Sequence, residues 1–395
     1  MNLLLPTCAP LLLLAAAFAQ APAARPQLHI PAGDWSVRDL LTQAEQALRT
    51  PIVADDEELA QASAPRVQLQ FPLALDPEHG RDALAALLTT RGLLLTRDPK
   101  GRTEVKAVPR GRADWLAERA VPTTVQALLD HPHRDSIVKV PLQTATPMEV
   151  VRNLLRMTAP RSGPAPTLEA HDGGILCTGT SDAVRHAVLQ LAAMDPAFAA
   201  TLAPNAASDL VYATKGGAVE LAAGEYLLAD LVQLLGRQSG VNIVLSPAVQ
   251  EQTAKVRVAG AQHLDARTGA NVLTTLLWQE RVLVLDLDVR HGLYEAVLVA
   301  DPRQMPAPAR ASTRTVEEAL AAADGVAYIA VKFTAQHLDP TQLMGIVRET
   351  MQAAPPGQMG TIVSTVPDGL WITGLSPTVA PLLAKLRAAD EARRG

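Results

Sequence analysis

Few side chains in this chain stand at spacings that could do chemistry. His131-Pro132-His133 is the one close pair of histidines, and two imidazoles one residue apart can contribute to a metal site. Arg134 follows and no third ligand stands nearby in sequence, so a solvated loop is the better reading. Asp55-Asp56-Glu57-Glu58 could hold a cation, although such a run more often opens a helix or sits in a loop. Cys177 lies in an apolar, strand-like run, which favours a buried small residue over a nucleophile. Gly-Xaa-Ser-Xaa-Gly is absent, as are a phosphate-binding loop and a dinucleotide fingerprint. The expectation is a protein that is not an enzyme, with no catalytic, cofactor-binding or metal-ligating residue to assign.

The elements that would have to position any site are written twice. Gly33-Asp34-Trp35-Ser36-Val37-Arg38-Asp39-Leu40-Leu41 is answered 191 positions later, from Gly224, by Gly224-Glu225-Tyr226-Leu227-Leu228-Ala229-Asp230-Leu231-Val232. Further on, Gly173-Gly174-Ile175-Leu176-Cys177-Thr178-Gly179 recurs as Asp368-Gly369-Leu370-Trp371-Ile372-Thr373-Gly374. Two distinct modules thus each appear twice in the same order. A catalytic site is normally assembled once, whereas interaction surfaces gain from tandem copies, so the pattern argues for a scaffold. Trp35 and Tyr226 are equivalent and read as core anchors; Trp278 and Trp371 occur in one copy each, and the strand setting of Trp371 makes burial its default.

Composition narrows the classes further. Leu3 to Ala19 is apolar and ends in Ala17-Phe18-Ala19 before the Ala- and Pro-rich Gln20 to Pro26, the pattern of a cleaved secretory signal peptide over residues 1–19. A membrane anchor would need about 20 apolar residues, and Pro6, Thr7 and Pro10 leave this stretch short. With Cys8 removed, Cys177 alone remains and no intramolecular disulfide can form. A net charge of -5 and 3% aromatic residues give no reason to expect nucleic acid. The 48% hydrophobic content is enough for several small cores.

The first module spans 27–108. Trp35, Val37, Leu40, Leu41, Ala44 and Leu48 hold helical spacing behind Asp34 as N-cap, while Val67, Leu69 and Phe71 alternate with Gln68 and Gln70 as in a half-buried strand. A second helix covers Gly80 to Thr90, and its copy lies in 217–300. The second module, in 109–195 with its connector and again in 315–392, reads strand, helix, strand, strand, helix, with Asp-Gly hairpin turns. In the connector, Trp115, Leu116, Val125, Leu128 and Leu129 hold helical spacing. Residues 196–216 and 301–314 are rich in Ala and Pro without periodicity and read as linkers. The fold class is α+β, with four small two-layer α/β sandwich domains in an A-B-A-B tandem.

These residues resemble a specific family. The Gly-Asp-Trp or Gly-Glu-Tyr lead into Asp-Leu-Leu or Asp-Leu-Val, with a short Ile-Val strand after it, resembles the short N-terminal domain shared by secretins and TonB-dependent transducers. Gly174 to Thr180 with the helix end Leu191-Ala192-Ala193-Met194-Asp195, and Gly369 to Gly374 with Leu386-Arg387-Ala388-Ala389-Asp390, resemble the repeated secretin N-domain. The resemblance covers nearly all of the chain after the leader. It departs from the family pattern at Cys177 and at Leu375. It implies a periplasmic or cell-envelope adaptor that associates with protein partners of a secretion or pilus machine, an outer-membrane secretin among them, or with itself. No Gly- and Val-rich barrel segment precedes Gly395, so the chain is not expected to form a pore alone. The alternative is an envelope signalling or ligand-sensing module coupled to a TonB-type transducer.

Overall fold

The computed structural model describes residues 28–62, 66–75, 80–98, 100–107, 113–131, 134–152, 166–202, 218–288, 291–299, 311–321, 326–352, 361–366 and 368–393. The leader 1–19, His133 and most of the two linker segments lie outside the described residues.

The chain opens with β1 (Leu28–Ile30), β2 (Gly33–Ser36), α1 (Val37–Leu48), β3 (Ile52–Ala54), α2 (Asp56–Ala60), β4 (Arg66–Leu69), β5 (Leu73–Leu75), α3 (Gly80–Thr89), β6 (Leu93–Arg97) and β7 (Thr103–Ala107). Strand β3 pairs parallel with β7, which pairs antiparallel with β6, while β1–β5 and β2–β4 make two small antiparallel ribbons. The N-cap of α1 is Ser36, whose hydroxyl accepts from Asp39 N at 3.1 Å. Asp34, expected at that position, lies in β2 and instead accepts from Arg66 Nε at 2.6 Å, because the strand continues two residues further than the helical spacing suggests. Helix α3 is buried nearly all round, as its Ala-Leu-Ala-Ala-Leu-Leu run demands.

The same order returns as β12 (Val219–Leu221), β13 (Gly224–Leu227), α9 (Leu228–Ser239), β14 (Asn242–Leu245), α10 (Pro247–Gln250), β15 (Lys255–Val258), β16 (Gln262–Leu264), α11 (Ala266–Gln279), β17 (Val282–Asp288) and β18 (Leu293–Leu298). Its main sheet is β14-β18-β17, with the parallel and antiparallel pairings of the first copy.

Between these lie α4 (Ala113–Arg119), β8 (Val121–Pro122), α5 (Val125–Asp130), β9 (Ile137–Leu142), helical residues 148–152 (α6), β10 (Thr167–His171), β11 (Gly174–Thr180), α7 (Ser181–Met194) and α8 (Pro196–Ala200). The last stretch repeats this with β19 (Ser312–Arg314), α12 (Val316–Ala321), β20 (Tyr328–Thr334), α13 (Pro340–Gln352), β21 (Ile362–Val366), β22 (Gly369–Leu375) and α14 (Ser376–Ala392). Sheet orders β10-β11-β9-β8 and β19-β20-β22-β21 match strand for strand. Strands β8 and β19 join their sheets in parallel, so the connector holds two short helices and a strand rather than one helix. Ser312–Arg314 belongs to the last sheet, not to a linker over 301–314; three residues carry no readable alternation. Likewise α8 opens the segment 196–216, and Phe198 is buried in the core beneath it. The repeated hairpin glycines answer to close approach: a Cβ at Gly174 would stand 2.3 Å from Leu142 O, and one at Gly369 would meet Phe333 O.

Helices cover one face of the β14-β18-β17 sheet, and neighbouring units cover the other. Ile243, Val282, Val284, Tyr294 and Ala296 share a core with α9 and α11. On the opposite face Val244, Leu287 and Leu293 join the core of the first copy, and Leu283, Leu285 and Val297 pack with Tyr328, Ala330 and Leu375 of the last sheet. Among the described residues this sheet is thus packed on both faces, by its own helices on one and by neighbouring units on the other.

The two equivalent helices α1 and α9 each lack one cap that the other has. Helix α1 ends on Arg49 at φ 49°, in the left-handed region, where α9 ends on Gly240 at φ 70°. At the start, Ser36 caps α1, whereas Leu227, 40% exposed, supplies no side-chain cap to α9. Arg49→Gly and Leu227→Ser are each expected to raise the free energy of unfolding by about 1 kcal/mol, read from urea denaturation followed by circular dichroism. An unchanged midpoint for both would contradict this account of the caps.

Candidate interaction surfaces

The residues singled out in the sequence fall into structural roles. His131 Nδ1 lies 3.0 Å from Asp82 Oδ2, which ties the connector to buried α3. Asp55 to Glu58 open α2: Glu58 accepts from Lys106 Nζ at 3.0 Å and from Ala107 N at 2.8 Å, and Arg38 pairs with Asp56. Cys177 is fully buried in a core cluster, and burial pushes its thiol up to about 12, so it stays protonated and unreactive at neutral pH. No group of three or more His, Cys, Asp and Glu able to hold a metal ion occurs among the described residues.

Trp35 and Tyr226 are half-buried at the rims of their cores, and both polar tips are spent in the same way. Trp35 Nε1 donates to Pro31 O at 2.9 Å, and Tyr226 OH donates to Ala222 O at 3.0 Å. An aromatic ring with a donor at its far end pins the chain entry to the helix in each copy. Trp278 and Trp371, unrelated in sequence, come together against the cluster between β17 and the last sheet; Trp371 is half-buried there rather than fully buried. The corresponding junction in the first half is filled by Trp115 and Leu116 of α4 against Leu94 and Ile137, which explains why those tryptophans have no counterpart.

The electrostatics of the β14-β18-β17 sheet depend on residues that the motifs did not mark. Glu295 on β18 is fully buried, and Arg91, which follows α3 of the first copy, is fully buried beside it. Arg91 Nη1 donates to Leu245 O at 2.9 Å; desolvation draws its pKa down to about 10 against the opposing field of Glu295. Arg314 of β19 reaches Asp286 of β17 at 2.8 Å, both side chains nearly inaccessible. Arg185 of α7 is lowered by desolvation and supported by Asp182 and then Asp286. Three arginines from three different units therefore converge on the strands β17 and β18.

The aspartates ending the two second-type modules act as anchors. Asp195 accepts from Phe198 N at 3.0 Å, Thr144 Oγ1 at 2.8 Å and Thr146 Oγ1 at 3.1 Å. Asp390 accepts from the backbone N–H groups of Gln336, His337 and Leu338 at 2.8, 2.9 and 2.8 Å. Burial alone would raise the Asp390 carboxyl, but the three N–H groups outweigh it and hold the pKa below the usual carboxylate value.

A groove of about 1140 Å³ is lined by Leu189 and by residues of the last unit, among them Arg387, paired with Glu317 at 2.8 Å, and Lys332, paired with Asp368 at 3.0 Å. The exposed strand edges are more open. Strand β10 is largely exposed at one edge of its sheet and β21 at the equivalent edge of the last, where Ile362 is 54% exposed. No helix among the described residues is long and apolar enough to cross a membrane.

No protein-family model and no curated protein matches the chain. Among solved structures, the enterotoxigenic Escherichia coli GspC-GspD complex from the type II secretion system aligns at 13% identity and TM-score 0.18, covering 44% of this chain and 99% of that one. The structure of XcpQN012 aligns at 9% identity and TM-score 0.16, covering 53% and 76%. These scores are too low to argue from. The α+β class rests on this chain's own sheets and helices.

Two outcomes follow from the electrostatics. Arg91→Met removes a cation from beside buried Glu295 and is expected to cost about 3–5 kcal/mol in urea denaturation, with much of that recovered in the Arg91→Met, Glu295→Gln double variant. Asp390→Asn is expected to cost about 1 kcal/mol at pH 7. Because the folded pKa is depressed, this stabilisation is present above the unfolded value of about 3.9 and is lost as pH falls through the folded pKa. The difference between wild type and Asp390→Asn should thus be flat from neutral pH to about pH 5 and shrink below about pH 4. A gap that persists undiminished at the lowest pH at which both fold would refute the charged-anchor account.

Proposed function

We propose that this chain is a non-enzymatic periplasmic adaptor or scaffold that binds protein partners of a secretin-like secretion or pilus assembly, an outer-membrane secretin being the first candidate. Its domains are 27–108, 109–195, 217–300 and 315–392, with 196–216 and 301–314 containing the linking segments and 1–19 acting as an export signal. The observation that carries the reading is the duplicated second-type sheet whose outer strand, β10 in one copy and β21 in the other, is paired on one side only among the described residues. An open edge offers a row of backbone donors and acceptors to an added strand and needs little side-chain specificity, which suits a scaffold with several protein contacts. The resemblance of the sequence motifs to secretin N-domains supports the choice of machine.

A photo-crosslinking residue at Ile362, in the protein expressed in its own cell envelope, is expected to capture a component of a secretion or pilus machine. Ile362→Asp should reduce recovery of that component at least tenfold. Capture of an inner-membrane transducer alone, or no product beyond that from the same probe at exposed Lys100, would overturn the proposal.

A further inference from the structure

The two copies of the first module are in direct contact, and the contact runs one way. Gln70, just past β4 of the first copy, lies along the outer edge of β14 in the second. Its Nε2 donates to Ile243 O at 2.9 Å and its Oε1 accepts from Ile243 N at 2.7 Å, so one side-chain amide stands in for the partner of an edge strand. The next residue, Phe71, donates its backbone N–H to Asn242 Oδ1 at 2.8 Å. Gln233 Nε2 donates to Gln68 Oε1 at 3.0 Å beside them.

The equivalent positions explain the direction. Ile52 in the first copy corresponds to Ile243, and its N–H is taken at 2.5 Å by Glu45 of its own helix α1. The position of Glu45 is occupied in α9 by Gly236, and a Cβ there would stand 3.3 Å from Gln70 Cδ. Asn242, which receives Phe71, corresponds to Pro51, which offers no side-chain acceptor. On the other side of the contact, the β2–β4 and β13–β15 registers set Gln70 and Phe71 against Ala259 and Gly260, both exposed. The receiving features are confined to the second copy and the inserting ones to the first. A glycine inside a helix is destabilising relative to alanine, so its presence at the point of insertion asks for a cause.

We infer that the outer edge of β14 is a docking surface whose occupant is the Gln70–Phe71 segment of the same chain, and that Gly236 in place of Glu45 decides it. An unbranched head-to-tail contact between like units would otherwise propagate into rings or fibres. Here Glu45 and Pro51 close the first copy's edge, and Ala259 and Gly260 leave the second copy nothing to insert, so the series stops at two. This inference stands independently of the partner reading above.

The test is bismaleimide crosslinking of the full chain carrying Cys8→Ser, Gln68→Cys and Gln233→Cys, with Cys177 protected by burial. An intramolecular product is expected in high yield. Gly236→Glu should lower that yield at least tenfold by supplying the missing carboxylate to Ile243 N, and Gln70→Ala should lower it several-fold. Gln70→Ala, at a half-buried loop residue, decides the matter if Gly236→Glu does not fold. Unchanged yield in Gln70→Ala, or a product that is a dimer of two chains, would overturn the inference.

Discussion

The architecture turns on one constraint, the burial of a carboxylate in the middle of a sheet that has no free face. Glu295 sits on the central strand β18, fully inaccessible, with apolar residues on either side of it. A charge in that position is tolerated only with compensating cations and donors, and its own unit does not supply Arg91. Docking of the first copy brings Arg91 to Glu295 and docking of the last sheet brings Arg314 to Asp286, so each docked unit helps to stabilise the sheet. Charge compensation across unit boundaries turns a string of small domains into one body.

The first half solves the equivalent problem locally. Glu104 on β7 occupies the place of Glu295 on β18, since they pair with the equivalent residues of the parallel edge strands, Val53 and Val244. Its partner is Arg119 of the connector helix α4, which also stacks over Trp115 at 5.1 Å. The repeated carboxylate is thus a property of the module, whereas the arginine that meets it comes from whatever unit closes the sheet. The second face of each sheet is generic and its cover is particular, which is how duplicated modules acquire different neighbours without changing fold.

Much of the element order could be read from periodicity and from the Asp-Gly turns. The helix read over Gly80 to Thr90 is α3, and the alternation of Val67 and Leu69 with Gln68 is that of β4, although the strand ends before Phe71. What could not be read was short or non-local. Strand β19 has three residues and is held by parallel pairing to β20, with no alternation of its own to show. Ser36 rather than Asp34 caps α1 because the choice depends on where β2 stops pairing with β4. The interaction surfaces were the least legible part: Gln70, Arg91 and Glu295 belong to no motif, and their meaning lies in contacts across 173, 154 and more residues of chain. A signal for them existed only in the comparison of the two copies, as Glu45 against Gly236 and Pro51 against Asn242.

That comparison gives a physical account of why the copies differ. A duplicated unit begins with identical edges, and identical complementary edges can associate without limit. Specificity then has to come from changes that favour one pairing and disfavour the rest. Losing a side chain at 236 opens one edge to an outside amide, while Glu45 keeps the other satisfied from within. Neither change alone restricts association: an opened edge with no insert would be left unpaired, and an insert facing two closed edges would stay in solvent. Together they select a single contact, whereas the exposed outer strands β10 and β21 lie on the other kind of module. The first-type units are thereby held to each other within one chain.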